Sequence, residues 1–242
     1  ETVILAAVTV SPNQSSLPFF PLTVEYRERT YAAGKFPGGF IKRETRPSDK
    51  EILGARGVDR SIRPLFPEGF KNEVQVFVTV LSADQENDAD VLAVVAASLA
   101  LSVSTVPWSG PIAAVRVGRV EGNWILNPTF QQLEFSTVDI TVSGSADSIV
   151  MVEGGAQEVS EAEVLEALKV AQKGIKELLG HQEKIIAKAA QDKMAWKKEE
   201  IDATLTKKVK SLAEAEMAKA INAKDKHARA AGAEALKARV KE

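Results

Sequence analysis

All ten prolines of this 242-residue chain lie at or before Pro128, and beyond Gly155 the sequence turns to Ala, Lys, Glu and Leu. Proline interrupts helices, whereas Ala, Lys, Glu and Leu favour them, so the chain divides near residues 153–160 into a mixed part and an all-helical part. The second part opens on Val159-Ser160-Glu161-Ala162-Glu163-Val164. Ser160 and Glu163 have capping-box spacing, and Val159 with Val164 can staple the first turn. Gly174, Gly180 and Gly232 predict breaks between several antiparallel helices. Ile175, Leu178, Leu179, Ile185, Ile186, Trp196, Ile201, Leu205, Val209 and Leu212 are the expected core. No heptad register is sustained, which favours a compact bundle over a long coiled coil.

The first part reads as mixed α/β, with strands expected at 2–10, 20–26, 74–82, 112–119, 124–126, 138–143 and 148–152. Ser48 and Glu51 form a second capping-box pattern, opening a helix that Pro64 ends. Asp88 to Ser102 reads as a buried helix, its apolar run too short to span a bilayer. The chain starts on an apolar strand with no turn before it, so a partner strand is expected upstream. The absence of cysteine excludes disulfides, thiolate metal sites and a cysteine nucleophile, and makes the cytoplasm the default compartment.

Charge is distributed unevenly. Residues 27–63 hold ten Lys/Arg against five Asp/Glu, whereas residues 64–160 hold three against twelve. A basic block inside an otherwise acidic globular region is a candidate polyanion contact, or a solvated basic face. Within it, Phe36-Pro-Gly-Gly-Phe40-Ile-Lys-Arg-Glu-Thr-Arg46 sets an aromatic, an aliphatic and cations on a glycine turn. Lys42, Arg43 and Arg46 can take phosphates while Phe40 stacks on a base, with Ile41 beside it. The alternative is an ordinary loop whose Phe40 tucks into the core. Arg56, Arg60 and Arg63 follow at helical spacing as one stripe and need anions, which Asp59 and Glu51 or phosphate oxygens can supply.

Asp84, Glu86, Asp88 and Asp90 cluster where a helix opens, which assigns Asp88 and Asp90 to capping and dipole pairing rather than to a metal. His181 and His227 stand alone among helical lysines and are read as surface residues. Gly34-Lys35 lacks the flanks of a phosphate loop, and Gly144-Ser145 those of a nucleophile elbow.

Phe19 to Phe40, Arg43-Glu-Thr-Arg-Pro-Ser48, Asp59-Arg-Ser-Ile-Arg-Pro-Leu-Phe-Pro-Glu-Gly-Phe70, Leu126-Asn-Pro-Thr129 and Val142-Ser-Gly144 resemble the first ribonuclease PH-like core domain of the polynucleotide phosphorylase family. The resemblance runs on into that family's all-helical linker domain. It implies a mixed-sheet α/β core over 1–153 and an all-α domain over 154–242. It also implies a phosphorolytic 3′-to-5′ exoribonuclease acting in mRNA turnover, with a homotrimeric ring, a second core domain in the same chain, and other RNA-degradation proteins as partners. Magnesium and inorganic phosphate would serve that second core. Bacterial cytoplasm or an organelle is the implied location.

In that family the loop matching Phe40-Ile41-Lys42-Arg43 lines the constriction where single-stranded RNA enters. Its usual pattern is two aromatics and two arginines, so Ile41 and Lys42 remove one stacking face and one planar fork. The family's phosphate-holding serine turn matches Gln85-Glu86-Asn87-Asp88-Ala89-Asp90 here. A carboxylate about 4 Å from phosphate costs roughly 4 kcal/mol at an effective dielectric near 20, so this turn should repel phosphate. Asp139 matches one catalytic aspartate, but Leu133 and Thr141 replace the other Asp and a Lys, so no catalytic or metal residue is expected in this half. Two other arrangements keep the same fold: a self-contained ribonuclease PH-like exonuclease, and a non-catalytic exosome-type ring subunit.

Overall fold

The computed structural model describes residues 1–40, 42–196 and 202–241. They fall into two compact units, Glu1–Lys197 and Lys198–Glu242.

In the first unit, β1 (Val3–Gln14), β2 (Leu22–Arg27) and β3 (Asn72–Ser82) form a sheet of order β1-β3-β2. β3 alternates strictly, sending Val74, Val76, Val78 and Val80 into the core. β1 runs antiparallel to it, while β2 is parallel. A parallel neighbour needs a crossover, and α1 (Asp49–Ile62) supplies it. Ser48 and Glu51 close the expected capping box at its start. The chain from residue 28 to 48, between β2 and α1, is thereby pinned at both ends to one scaffold.

The second sheet, all antiparallel, orders β5 (Asn123–Leu126), β4 (Ala113–Val120), β6 (Val138–Gly144) and β7 (Ile149–Ala156). A short α3 (Phe130–Glu134), itself opened by a Thr129–Gln132 capping box, was not anticipated. Period-two alternation gives β4 and β6 two faces. Val115, Val117, Val138, Ile140 and Val142 join a core cluster with α4 (Glu161–Ala189). Arg116, Asp139 and Thr141 face the opposite way, toward α1 and α2 (Asp90–Val103). α2 packs against β1, β3, β4, α1 and α4, which explains why it is apolar on nearly every side.

The helical part departs from expectation. α4 runs unbroken through Gly174 and Gly180. Gly174 is a packing position, because a Cβ there would sit 2.9 Å from Leu126 Cδ1. Ala167, Ala171, Ile175 and Leu179 form the stripe that α4 lays on the sheet. Buried Gln182 ties α4 down: its amide donates to the Ile112 carbonyl at 2.8 Å, and its carbonyl accepts from Ser98 Oγ at 2.9 Å.

Residues 190–196 then cross the C-terminal end of α2, with Gln191 N–H donating to Val103 O and Met194 N–H to Thr105 O. Lys193 Nζ caps the C-terminus of α2 by donating to the carbonyls of Leu101, Ser102 and Ser104 at 2.7–3.0 Å. Trp196 meets the edge of Phe70 at 5.9 Å. The first unit therefore extends well past the boundary expected near 153, because α4 and this strap are needed to cover it.

The second unit pairs α5 (Ala203–Ile221) with α6 (Lys226–Lys241), and Gly232 lets α6 approach Ala220. Instead of one bundle spanning 160–242, one long helix belongs to the first unit and two form this hairpin. Leu205, Val209 and Leu212, expected in a core, are 57, 40 and 63 % exposed. Ile185 is also exposed, and Ile201 lies outside the described residues. Among the described residues no helix is long and apolar enough to cross a membrane.

Candidate nucleic-acid interface and an acidic cleft

The loop between β2 and α1 has a rigid base and a bare tip. A 3-10 turn at Thr30–Ala33 ends on Gly34, whose positive φ of 67° closes it. Glu44 clamps the two sides of the loop together. Its carbonyl accepts from Arg29 Nη1 at 2.6 Å, and its carboxylate accepts from the Thr30 N–H at 2.9 Å. Glu51 completes the base, accepting from the N–H groups of Glu28 and Ser48. Burial alone would raise its pKa, but those hydrogen bonds hold it below the usual carboxylate range.

Beyond this base most of the described side chains are exposed. Phe40 is fully exposed, so the core-tucked alternative does not hold. Lys42, Arg43 and Arg46 are exposed, and together with Gly39, Phe40 and Thr45 they line one open concavity. Ile41 lies outside the described residues.

The arginine stripe of α1 has two paired members. Arg63 makes a forked contact to Asp59, at 2.7 and 3.0 Å, and donates to the carbonyls of Phe20 and Leu22. Arg60 pairs with Glu153 of β7. Arg56 is exposed, beside the groove between α1 and β2, with no ion pair among the described residues. Carboxylates and carbonyls of the chain itself therefore satisfy Arg60 and Arg63.

A second charged site lies inside the first unit, in a cleft of about 390 Å³ between α1, α2 and the face of β4 and β6. Arg116 is its centre, reaching Asp88 at 2.9 Å, Asp139 at 2.9 Å and Asp90 at 3.7 Å. Lys50 adds a second cation, 3.2 Å from Asp88 and 3.0 Å from Glu28. Tyr26 closes one wall, its hydroxyl donating to Glu28, and Gly54 leaves room for its ring.

The groups perturb one another in opposite directions. Burial pushes Asp90 up and the neighbouring Asp88 charge pushes it further. Burial would raise Asp88 too, but Lys50 and Arg116 outweigh it and hold Asp88 below its ordinary value. Burial works against the Arg116 cation, and Asp90 with Asp139 more than restores it.

The acidic turn is used only in part as expected, since Asp90 does stand in the first turn of α2, where the helix dipole favours its charge. Ala89 rather than Asp88 occupies the N-cap of α2, with no side-chain cap, and Asp90 accepts from its own neighbour, Val91 N–H. Asp88 is turned into the cleft. Asp84 takes the turn-closing role, accepting from the N–H groups of Glu86 and Asn87, which hold it far below the carboxylate range. Asp139 is engaged by the Arg116 guanidinium. A divalent cation would have to compete with that guanidinium for the three carboxylates, and a phosphate would meet their negative charge. His181 and His227 are exposed.

Sequence reasoning did not find Arg116 or Lys50 as members of this site. A signal existed, since Arg116 is one of three cations in the acidic stretch 64–160 and sits in an apolar strand pattern that buries alternate residues.

Comparison with known proteins adds the following. Residues 1–107 match the description "3′ exoribonuclease family, domain 1", and residues 110–174 match "3′ exoribonuclease family, domain 2". A polyribonucleotide nucleotidyltransferase of Gemmatimonas aurantiaca is 65 % identical over 98 % of this chain, which spans 32 % of that protein. The Bacillus subtilis protein of the same name is 51 % identical over 95 % of the chain, again 32 % of its length. The chain therefore spans about a third of the curated relatives it matches. A chain of the Archaeoglobus fulgidus exosome, solved with RNA bound to the active site, superposes with a TM-score of 0.56. It is 20 % identical, covering 74 % of this chain and 79 % of that one, and shows a shared fold.

Proposed function

The chain belongs to the 3′ exoribonuclease family, whose two domain descriptions it matches in order, and from that premise we propose that it is the RNA-gripping portion of a polyribonucleotide nucleotidyltransferase. The observation that carries this reading is the loop at 36–46, clamped at its base by Glu44 and bare at its tip. Phe40 offers a stacking face, with Lys42, Arg43 and Arg46 as phosphate contacts. Arg56, with no ion pair among the described residues, is the member of the α1 stripe that could add a further phosphate contact.

Phosphorolysis itself would belong to a second core domain of the same protein. Phosphate must be held as nucleophile and a cation must stabilise the transferring phosphoryl group. In the cleft around Arg116 the carboxylates already hold a guanidinium, so magnesium and inorganic phosphate would act in that second core. A homotrimeric ring threading RNA through its centre, contacts with other RNA-degradation proteins, and a cytoplasmic location complete the reading. A self-contained exonuclease is disfavoured because the cleft's carboxylates are already paired with Arg116 and Lys50.

Replacing Lys42 and Arg43 by Ala in the natural full-length protein tests the grip. The slope of log affinity for single-stranded RNA against log salt should fall by about 1.4, at about 0.7 per phosphate. An unchanged slope would remove these residues from the RNA path. The 242-residue chain alone, given RNA, phosphate and magnesium, should release no nucleoside diphosphate. Release that disappears on Asp139→Asn would restore the self-contained exonuclease.

A further inference from the structure

Resting on that reading and deepening it, we infer that Phe36 is a second base-stacking residue of the loop, supplying the aromatic face that Ile41 does not. Phe36 and Phe40, 97 % and 108 % exposed, are the two most exposed large apolar side chains among the described residues; the next, Phe135, is 74 % exposed. A scattered exposed phenylalanine needs no explanation, but two bare rings four residues apart in one loop do.

The backbone presents Phe36 rather than letting it hang. Lys35 N–H donates to Thr30 O at 3.0 Å and Gly34 N–H to Tyr31 O at 2.9 Å, so the chain just before the ring is fixed to the scaffold. Pro37 follows, and a residue before proline is confined to extended backbone, which keeps Phe36 from folding back as part of a helical turn. Gly39, with φ of 66°, then reverses the chain and leads into Phe40. No heavy atom lies within 4 Å of where a Cβ would stand on Gly34, Gly38 or Gly39, so these glycines serve the turn and open approach rather than packing.

Charge decides the occupant. From Lys35 to Arg46 the loop carries Lys35, Lys42, Arg43 and Arg46 against Glu44 alone, and the Glu44 carboxylate is spent on the Thr30 N–H. Two flat apolar faces among four cations fit a polyanion that also has flat faces, which is single-stranded nucleic acid. An apolar protein surface would match the rings but not the cations.

The test uses the natural full-length protein with two labelled ligands of equal length, oligoadenylate and an abasic ribose-phosphate oligomer. Phe36→Ala should weaken oligoadenylate binding about 5- to 150-fold, the range for losing roughly one stacked base. It should leave the salt slope and the affinity for the abasic oligomer unchanged. Phe36→Trp should bind at least as tightly as the parent, whereas Phe36→Leu should resemble Phe36→Ala. Full binding by Phe36→Leu would overturn the inference, since bulk alone would then suffice. An equal loss on the abasic oligomer would overturn it too, as would loss of self-association with oligoadenylate binding intact. A silent Phe36→Ala beside a lowered salt slope in the Lys42/Arg43 variant refutes the Phe36 assignment alone. If both are silent, the grip reading falls with it.

Discussion

The loop at 36–46 and the cleft around Arg116 are both rich in charge, yet they treat it in opposite ways. In the loop, Lys42, Arg43 and Arg46 stand in solvent and the only carboxylate, Glu44, faces inward to hold backbone. In the cleft, Arg116 is held among Asp88, Asp90 and Asp139, and the half-exposed Lys50 pairs with Asp88 and Glu28. Unpaired exposed charge is available to a ligand and contributes little to folding. Paired, half-buried charge is committed to the fold, and removing one partner leaves the others without compensation. The same residue types thus stay available to a ligand in one region and brace the fold in the other.

The largest effect expected from this contrast is that of Arg116→Ala. It strands Asp90 and Asp139 and leaves Asp88 with Lys50 alone, and should cost about 3 kcal/mol in urea unfolding at neutral pH. RNA affinity per folded molecule should not change. A loss below about 1 kcal/mol would show that the cleft is wet enough to hold its carboxylates unaided, and would weaken the distinction between the two regions.

Next in size is a pair of substitutions inside the cleft, which should differ in sign. The folded-state pKa of Asp88 is depressed, so its ionised form stabilises the fold above its unfolded value of 3.8, and that contribution is lost as pH falls through the lower folded value. The folded-state pKa of Asp90 is raised, so its ionisation costs stability above the folded value, and protonation relieves that cost as pH falls toward 3.8. At pH 7 Asp88→Asn should destabilise by roughly 1–2 kcal/mol. Asp90→Asn should be neutral or slightly stabilising, within about 1 kcal/mol. Urea midpoints at neutral pH separate the two, and equal losses would show that the carboxylates act as one unit.

The difference between the regions also explains what the sequence made legible. Two of the three capping boxes described, Ser48–Glu51 and Ser160–Glu163, could be read because capping is local and each opens a long helical pattern, whereas Thr129–Gln132 opens a helix of only 5 residues. The strand pattern of β3 was readable because every second residue from Val74 to Val80 is a buried valine. The bare loop was readable as well, since glycine, proline and adjacent cations do not depend on distant partners. The cleft was not, because Lys50, Asp88, Arg116 and Asp139 come from four separate segments and their pairing exists only after folding. Gly174 misled for the same reason: its value is a contact with Leu126, 48 positions earlier, whereas helix propensity sees only a local penalty. Leu205, Val209 and Leu212 follow a helical stripe, but periodicity alone does not say that a partner covers it.

The smallest effect expected, and the sharpest check on the comparison, is the stability of a loop stripped of its charge. Replacing Lys42, Arg43 and Arg46 by Ala removes three cations that are all exposed. Substitutions at exposed positions without structural partners shift stability by no more than about 0.5 kcal/mol. Relief of repulsion between neighbouring cations acts in the stabilising direction and is small at physiological salt, where the screening length is about 8 Å. The urea midpoint should therefore stay where it is, with an unchanged slope, even though the salt dependence of RNA binding falls. A loss of 1 kcal/mol or more would mean that the loop's cations already have partners within the fold. They would then belong with Arg116, as charge spent on structure, and the interface would have to lie elsewhere on the chain.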